Sequence, residues 1–311
     1  MGVQARVVLY APDEATAQRG LEAAYAEIGR LESLLSDYRP ASELSRVSAA
    51  AGSGEWVAVS ADTERVLRLG QRFAAETNGA FDMTAGAAVD LWRAARREGK
   101  VPSAEAVARA AGLVDWRALE VKAGAARLPR AGMRLDPGGI AKGDAAERAV
   151  KAVKRAGIPC VLVALAGDVA AGDAPPGEAA WRVDVRVDGK KVGLVRLVNA
   201  CVSTSGDTEQ FIEAEGVRYS HVIDPRTGWG VQHRHAATVV AFEGAAADAL
   251  ATALTVMTWE EAVAFARGGK GITVLLHRPG EETWAQGDRG VIDAVGTNGS
   301  GGAGGARSGG E

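Results

Sequence analysis

The chain is poor in the residues that build stapled or histidine-rich sites. Its two cysteines, Cys160 and Cys201, are too few for a disulfide framework and are not spaced as a metal knuckle. They read as buried free thiols. Only four histidines are present, too little material for a multi-histidine metal centre. Charge of one sign is also missing: 36 basic against 39 acidic residues give a net charge of -3 and no basic stripe. That argues against a nucleic-acid partner but leaves room for sites that bind small anions. No run approaches the roughly 20 apolar residues needed to span a bilayer. The opening "MGVQARVVLYAPDEATAQ" lacks the charged-then-apolar order of a signal peptide, so a cytoplasmic location is expected of the chain as written. A periplasmic or extracytoplasmic one is expected if a leader has been removed.

What is present suffices for a large core. With 47% hydrophobic residues in 311, the chain can fold as one big domain or two smaller ones. "ARVVLYA" (5 to 11) reads as a strand, and residues 13 to 38 carry apolar side chains at helical spacing behind an acid. Helices are expected over 60 to 79, capped by Ser60, over 103 to 113, and over 140 to 157. "CVLVALAG" (160 to 167), "AWRVDVRVD", "VGLVRLVNACVST", "HAATVVAF" and "GITVLLH" (271 to 277) read as strands. The interleaving favours an α+β fold over strict βαβ repetition. From Gly296 the tail "GTNGSGGAGGARSGGE" cannot bury enough apolar area to offset its ordering entropy and is expected to be disordered. The folded domain is placed at 1 to 295.

Three stretches carry candidate chemistry. In "AAADALATALTVM" (245 to 257), Asp248 and Thr252 are four residues apart on one helix face, two hard oxygens that suit a magnesium ion. The bland alternative is an Asp in the first turn, favoured by the helix dipole, with Thr252 packed or bonded to a backbone carbonyl. "RLDPGGIAKGDAAERAV" (134 to 150) puts Asp136, Gly138, Gly139 and Lys142 at the mouth of a helix, a setting that favours an anion such as a phosphate. It is not a Walker loop, and the glycines equally suit a tight turn with nothing bound. "RYSHVIDPRTGWG" (218 to 230) runs from a strand into a bend at Pro225 and Gly228. His221 there is either a proton acceptor or a satisfied structural histidine. A Ser-His-Asp hydrolase lacks its G-x-S-x-G elbow, and His233 and His235 read as part of a solvated turn.

"LSDYRPASELSRV" (35 to 47), "TNGAFDMTAGAAVDLW" (77 to 92), "LDPGGIAKGDAAERA" (135 to 149), "VSTSGDTEQF" (202 to 211), "HVIDPRTGWG" (221 to 230) and "ADALATAL" (247 to 254) stand in the order of the ApbE family. The chain therefore resembles the FAD:protein FMN transferases, from residue 1 to about 290. The resemblance implies an α+β fold with mixed, largely antiparallel sheets flanked by helices, of T-fold-like type. It implies FAD as substrate, Mg²⁺ as cofactor, and FMN transfer to a Thr or Ser hydroxyl of an acceptor flavoprotein with release of AMP. Relatives that hydrolyse FAD to FMN and AMP, or a non-catalytic FAD-binding protein, are the alternatives.

Residue by residue, the resemblance places the metal on Asp248, Thr252 and the main-chain carbonyl of Gly139. Flavin and nucleotide contacts map to Met1, Tyr38, Ala80, Phe81, Asp82, Asp136, Lys142 and Ile223, and His221 is the candidate for receiving the acceptor proton. The chain departs from the family pattern in several places. Ser220 replaces the first of two histidines, Ala166 stands in "ALAGD" where "NLGGD" is usual, and Asp144 and Glu147 replace an aromatic and an Asp. Ala251 replaces an acid sometimes found before the metal-binding Thr.

Overall fold

The computed structural model describes residues 3–206, 211–214, 216–280 and 283–294. Met1 and the Gly/Ser-rich tail expected from Gly296 lie outside the described residues. The first half runs β1 (Ala5–Leu9), α1 (Glu14–Leu35), α2 (Glu43–Ala49), β2 (Val57–Ala58), α3 (Ala61–Glu76), α4 (Gly86–Glu98), α5 (Ala104–Ala111), β3 (Glu120–Lys122) and β4 (Ala125–Arg127). Next come α6 (Ala141–Arg155), β5 (Val161–Leu165), β6 (Asp168–Ala171), β7 (Trp181–Val187), β8 (Lys190–Leu197) and β9 (Cys201–Ser205). The remainder is β10 (Phe211–Ala214), β11 (Val217–Ser220), β12 (Ala236–Ala241), α7 (Gly244–Val256), α8 (Trp259–Gly268), β13 (Thr273–His277), β14 (Thr283–Gln286) and β15 (Ile292–Ala294).

The fold is α+β. A seven-stranded sheet in the order β1-β5-β6-β9-β12-β13-β14 is antiparallel at every pairing among the described residues. Smaller antiparallel sheets, β15-β8-β7, β2-β4-β3 and β10-β11, accompany it. The period-two alternation of strands buries both faces of the large sheet. Ala237 and Val239 of β12 face a helical layer built from α1, α3, α6 and α7. Val240 of the same strand, with Val202 and Leu275, faces the sheet that carries Val185, Val195 and Ile292. No helix among the described residues is long and apolar enough to cross a membrane.

Local chemistry sets the helix starts. Asp13, Ser42, Ser60, Ser103 and Thr258 each accept a backbone N–H three residues on, and Thr258 with Glu261 completes a capping box. Three helices, α2, α4 and α8, were not expected. The expected strand over "VGLVRLVNACVST" is in fact two, β8 and β9, in different sheets. It breaks at Asn199, whose φ of 50° is left-handed, a conformation in which asparagine is among the tolerated residues.

The expectation for His233 and His235 is corrected. His235 is buried, and its Nε2 lies 2.7 Å from the Leu254 carbonyl oxygen, while His233 Nε2 lies 3.0 Å from that of Thr255. The rings stack at 4.8 Å and 9°, so both meet the last turn of α7, where carbonyls lack intrahelical partners. Cys201 is buried as expected, and burial pushes its thiol pKa up. Cys160 is free but only partly buried.

Candidate active site

Helices α6 and α7 meet backbone to backbone, and that contact builds the site. A Cβ on Gly143 would overlap the Gly244 carbonyl oxygen, and a Cβ on Gly244 would overlap the Gly143 carbonyl. Only glycine permits the approach. The Gly143 N–H then donates to Asp248 Oδ2 at 3.1 Å. From the other side Glu147, one of the residues that departs from the family pattern, accepts the Gly244 N–H at 2.7 Å. Asp144, the other, is buried in an ion pair of 2.7 Å with Arg65 of α3.

Every residue of α7 except Thr252 is buried, and the helix has no acid in its first turn. Asp248 therefore lies beyond the first turn, where the dipole favours acids most. Its partners are the Gly143 N–H and Lys142. The Lys142 ammonium donates to the Gly138 carbonyl at 2.9 Å, pairs with Asp168 Oδ2 at 3.0 Å and lies 3.4 Å from both Asp248 oxygens. Burial works against the lysine charge, but Asp248 and Asp168 outweigh it and hold the pKa above the usual lysine value. Burial and the neighbouring Asp168 push the Asp248 carboxyl up to about 7, against the pull of Lys142. One ammonium shared by two carboxylates, and set closer to Asp168, leaves Asp248 under-compensated.

Gly139 brings its backbone against Thr252. A Cβ there would sit 2.7 Å from Thr252 Oγ1 and 3.2 Å from the Phe81 ring. Asp136 accepts the Gly138 N–H at 2.7 Å and pairs with Arg93 of α4 at 3.3 Å. Burial pushes the Asp136 carboxyl up, and Arg93 opposes that. The same guanidinium pairs with Asp37 at 2.5 Å and lies over the exposed Tyr38 ring, 4.7 Å from its centroid. Asp82 has both oxygens engaged: Oδ1 accepts from the Thr84 backbone N–H and hydroxyl, each at 2.7 Å, and Oδ2 from the Trp116 N–H at 3.0 Å. Its carboxylate ties one loop to another.

The strand-to-bend segment forms the opposite wall. Gly228 has φ 73° and donates its N–H to the Asp224 carbonyl at 2.8 Å. Trp92 Nε1 donates to the Gly228 carbonyl at 2.8 Å, and the Trp92, Tyr219 and Trp229 rings pack together. Ile223 is buried and bridges to Gly230. His221 follows β11 directly.

These parts surround one cavity of about 760 Å³, within the roughly 300–1,000 Å³ range of small-molecule sites. Tyr38, Ala80, Phe81, Asp82, Asp136, Gly139, Lys142, His221, Ile223, Asp248 and Thr252 all line it. Of the residues expected at the site, Met1 alone lies outside the described residues. Asp168 and Arg93 are charged lining residues that were not anticipated. Asp168 stands at the start of β6, and its signal was the Asp that closes "ALAGD". Arg93 rides on α4, a helix that local patterning did not reveal. Among the described residues no three or more of His, Cys, Asp and Glu gather in a metal-binding group, so an all-acid or histidine metal centre is not built.

The comparisons agree with this geometry. A family model described as "ApbE family" matches residues 1–276. A FAD:protein FMN transferase of Treponema pallidum (strain Nichols) is 33% identical over 317 residues, covering 95% of this chain and 86% of that protein. One of Klebsiella pneumoniae (strain 342) is 29% identical over 301 residues, covering 91% of this chain and 85% of that protein. The solved flavin transferase ApbE from Vibrio cholerae superposes with a TM-score of 0.80 at 27% identity, covering 92% of this chain and 94% of that chain. The match of motif order, fold and near-complete length places this chain in the ApbE family.

Proposed function

We propose that the protein is a flavin transferase that moves FMN from FAD onto a Thr or Ser hydroxyl of an acceptor flavoprotein and releases AMP. The observation that carries this reading is the meeting, in one cavity, of the Asp248–Thr252 face of α7 with the Gly139–Lys142 entry to α6. The relatives named as FAD:protein FMN transferases support it.

The donor chemistry of the cavity suits a divalent cation. Asp248 offers a carboxylate, Thr252 a hydroxyl that hydrogen-bonds to no described residue, and Gly139 a backbone that closes on that hydroxyl. A set of few protein oxygens, completed by phosphate and water, suits Mg²⁺. Asp248, Thr252 and the Gly139 carbonyl would hold it. When bound, it would neutralise pyrophosphate charge and stabilise the charge that develops in phosphoryl transfer.

The chain's own residues do the rest. Lys142 supplies a fixed cation to the pyrophosphate. Tyr38, backed by Arg93, presents an exposed aromatic face to a ring of the dinucleotide. The acceptor oxygen bonds to the FMN phosphorus, the bond from that phosphorus to the bridging pyrophosphate oxygen breaks, and AMP leaves. His221 receives the acceptor proton or orients the hydroxyl. Water in place of the acceptor gives FMN and AMP by the same bond changes.

The test is incubation with FAD, Mg²⁺ and a Thr-containing acceptor domain, following AMP, free FMN and flavin that stays with denatured acceptor. Equal AMP and protein-bound flavin is expected. AMP with only free FMN would establish hydrolysis instead, and FAD binding without AMP would reject both enzymatic readings. Unchanged AMP release by Asp248→Ala would reject the metal assignment.

A further inference from the structure

Among the described residues, Asp168 is one of two charged side chains with a buried polar atom that has no hydrogen-bond partner, the other being Arg65 through Nε. Asp168 is 2% exposed, its Oδ2 is engaged by Lys142 at 3.0 Å, and its Oδ1 is buried with no hydrogen-bond partner. A buried carboxylate oxygen left unpaired is costly, and native structures keep one only where something else satisfies it. Asp168 sits at the first position of β6, paired in register with Leu165 and Ser203. The turn before it is tight: a Cβ on Gly167 would lie 3.0 Å from the Thr204 carbonyl oxygen. The strand therefore holds the carboxylate in place on the cavity wall, opposite α7.

Charge makes the same point. Two buried carboxylates, Asp168 and Asp248, face one ammonium, Lys142. The three groups sum to one negative charge in a low-dielectric setting, an arrangement stabilised by a further cation. The other carboxylates of the cavity are engaged elsewhere, Asp37 and Asp136 by Arg93 and Asp82 by Thr84 and the Trp116 N–H, so Asp168 is the second anionic oxygen donor beside Asp248 and Lys142.

We propose that Asp168 is a ligand of the divalent cation through Oδ1, a second carboxylate beside Asp248, and that Lys142 occupies part of their charge until the cation arrives. The inference rests on the cation of the reading above and adds a residue to it. It also assigns Lys142 a second role: its amine competes with the cation for the two carboxylates as well as attracting the pyrophosphate.

The experiment is Mn²⁺ binding to the whole protein, read as the loss of the free-ion electron paramagnetic resonance signal, with and without ADP as a pyrophosphate probe. Circular dichroism confirms folding of each variant. Asp168→Asn, close to isosteric, is expected to weaken Mn²⁺ binding at least tenfold, and Asp248→Asn is expected to do the same. Lys142→Met is expected to tighten binding in the absence of ADP. The double variant Asp168→Asn with Lys142→Met is then expected to bind at least tenfold more weakly than Lys142→Met alone, an effect that loss of a lysine partner cannot produce. Wild-type affinity in Asp168→Asn, with binding lost in Asp248→Asn, would overturn the proposal and leave the metal reading standing. No Mn²⁺ bound by wild type, with or without ADP, would reject both.

Discussion

The Gly143 N–H donates to Asp248 Oδ2 at 3.1 Å, so a backbone group of α6 fixes the carboxylate of α7. The bond exists because neither Gly143 nor Gly244 carries a side chain where the helices touch. Site and helix packing are thus one structure, and a change to the packing moves the carboxylate.

Gly143→Ala tests that dependence. The added methyl group meets the Gly244 carbonyl and the Asp248 Cβ, so the helices must separate. Overpacking of this kind costs about 1–3 kcal/mol. Guanidinium denaturation should show that loss together with a fall in AMP release, whereas full activity at reduced stability would mean that the Gly143–Asp248 bond does not position the site.

Thr252→Val separates function from stability. The Thr252 hydroxyl bonds to no described residue, and Thr252 is the one α7 residue that is not buried. Its removal should change stability by less than about 1 kcal/mol, since no partner is left unsatisfied. If the transfer uses Mg²⁺ as proposed, its rate should fall at least about tenfold, the size of a lost interaction of about 1.4 kcal/mol. A denaturation midpoint that moves while the rate does not would place the hydroxyl in packing instead.

Ala166 carries backbone strain. Its φ of 53° is left-handed, and it stands where the family pattern has glycine. Such a conformation costs an L-residue roughly 1–2 kcal/mol, partly offset by the extra chain entropy that glycine loses on folding. Ala166→Gly should therefore stabilise the protein by about 0.5 kcal/mol, measurable as a higher denaturation midpoint at unchanged slope.

Glu27 sets an acid limit. It accepts from Arg30 of its own helix at 2.9 Å and from Arg148 of α6 at 3.1 Å. Hydrogen bonding from Arg30, followed by Arg148, overcomes the effect of burial and lowers its pKa from 4.5 to about 2. A depressed folded-state pKa stabilises the native state above the unfolded value. This contribution is complete above pH 4.5 and is lost as pH falls towards 2. Urea titrations across that window should give a shallower decline for Glu27→Gln than for wild type, and parallel curves would reject the assignment.

Much of the fold was legible because its signals are local. Ser60 caps α3 as expected, α5 forms within the expected 103 to 113, and the apolar spacing of α1 and α6 and the alternation of β7 and β12 survive into the structure. Helices α2, α4 and α8, of 7, 13 and 10 residues, were harder to see. Short helices owe their stability mainly to tertiary packing. The stacked pair His233 and His235 failed for a related reason: a polar sequence around a histidine does not reveal that a distant helix end will need its donors.

For the site, the i, i+4 spacing on α7 put Asp248 and Thr252 on one helix face but left a first-turn acid as the alternative, and the resemblance carried by the order of motifs is what proposed them as metal ligands. Which further groups meet them was decided by the tertiary structure. Asp168 arrives from β6, Lys142 from α6 and Arg93 from α4, and their roles depend on distances across elements far apart in sequence. Spacing could place the aspartate on a helix. Only the close approach of two glycines, a shared ammonium and a buried strand start made it a charged site, since desolvation and Coulomb energy act through space and not along the chain.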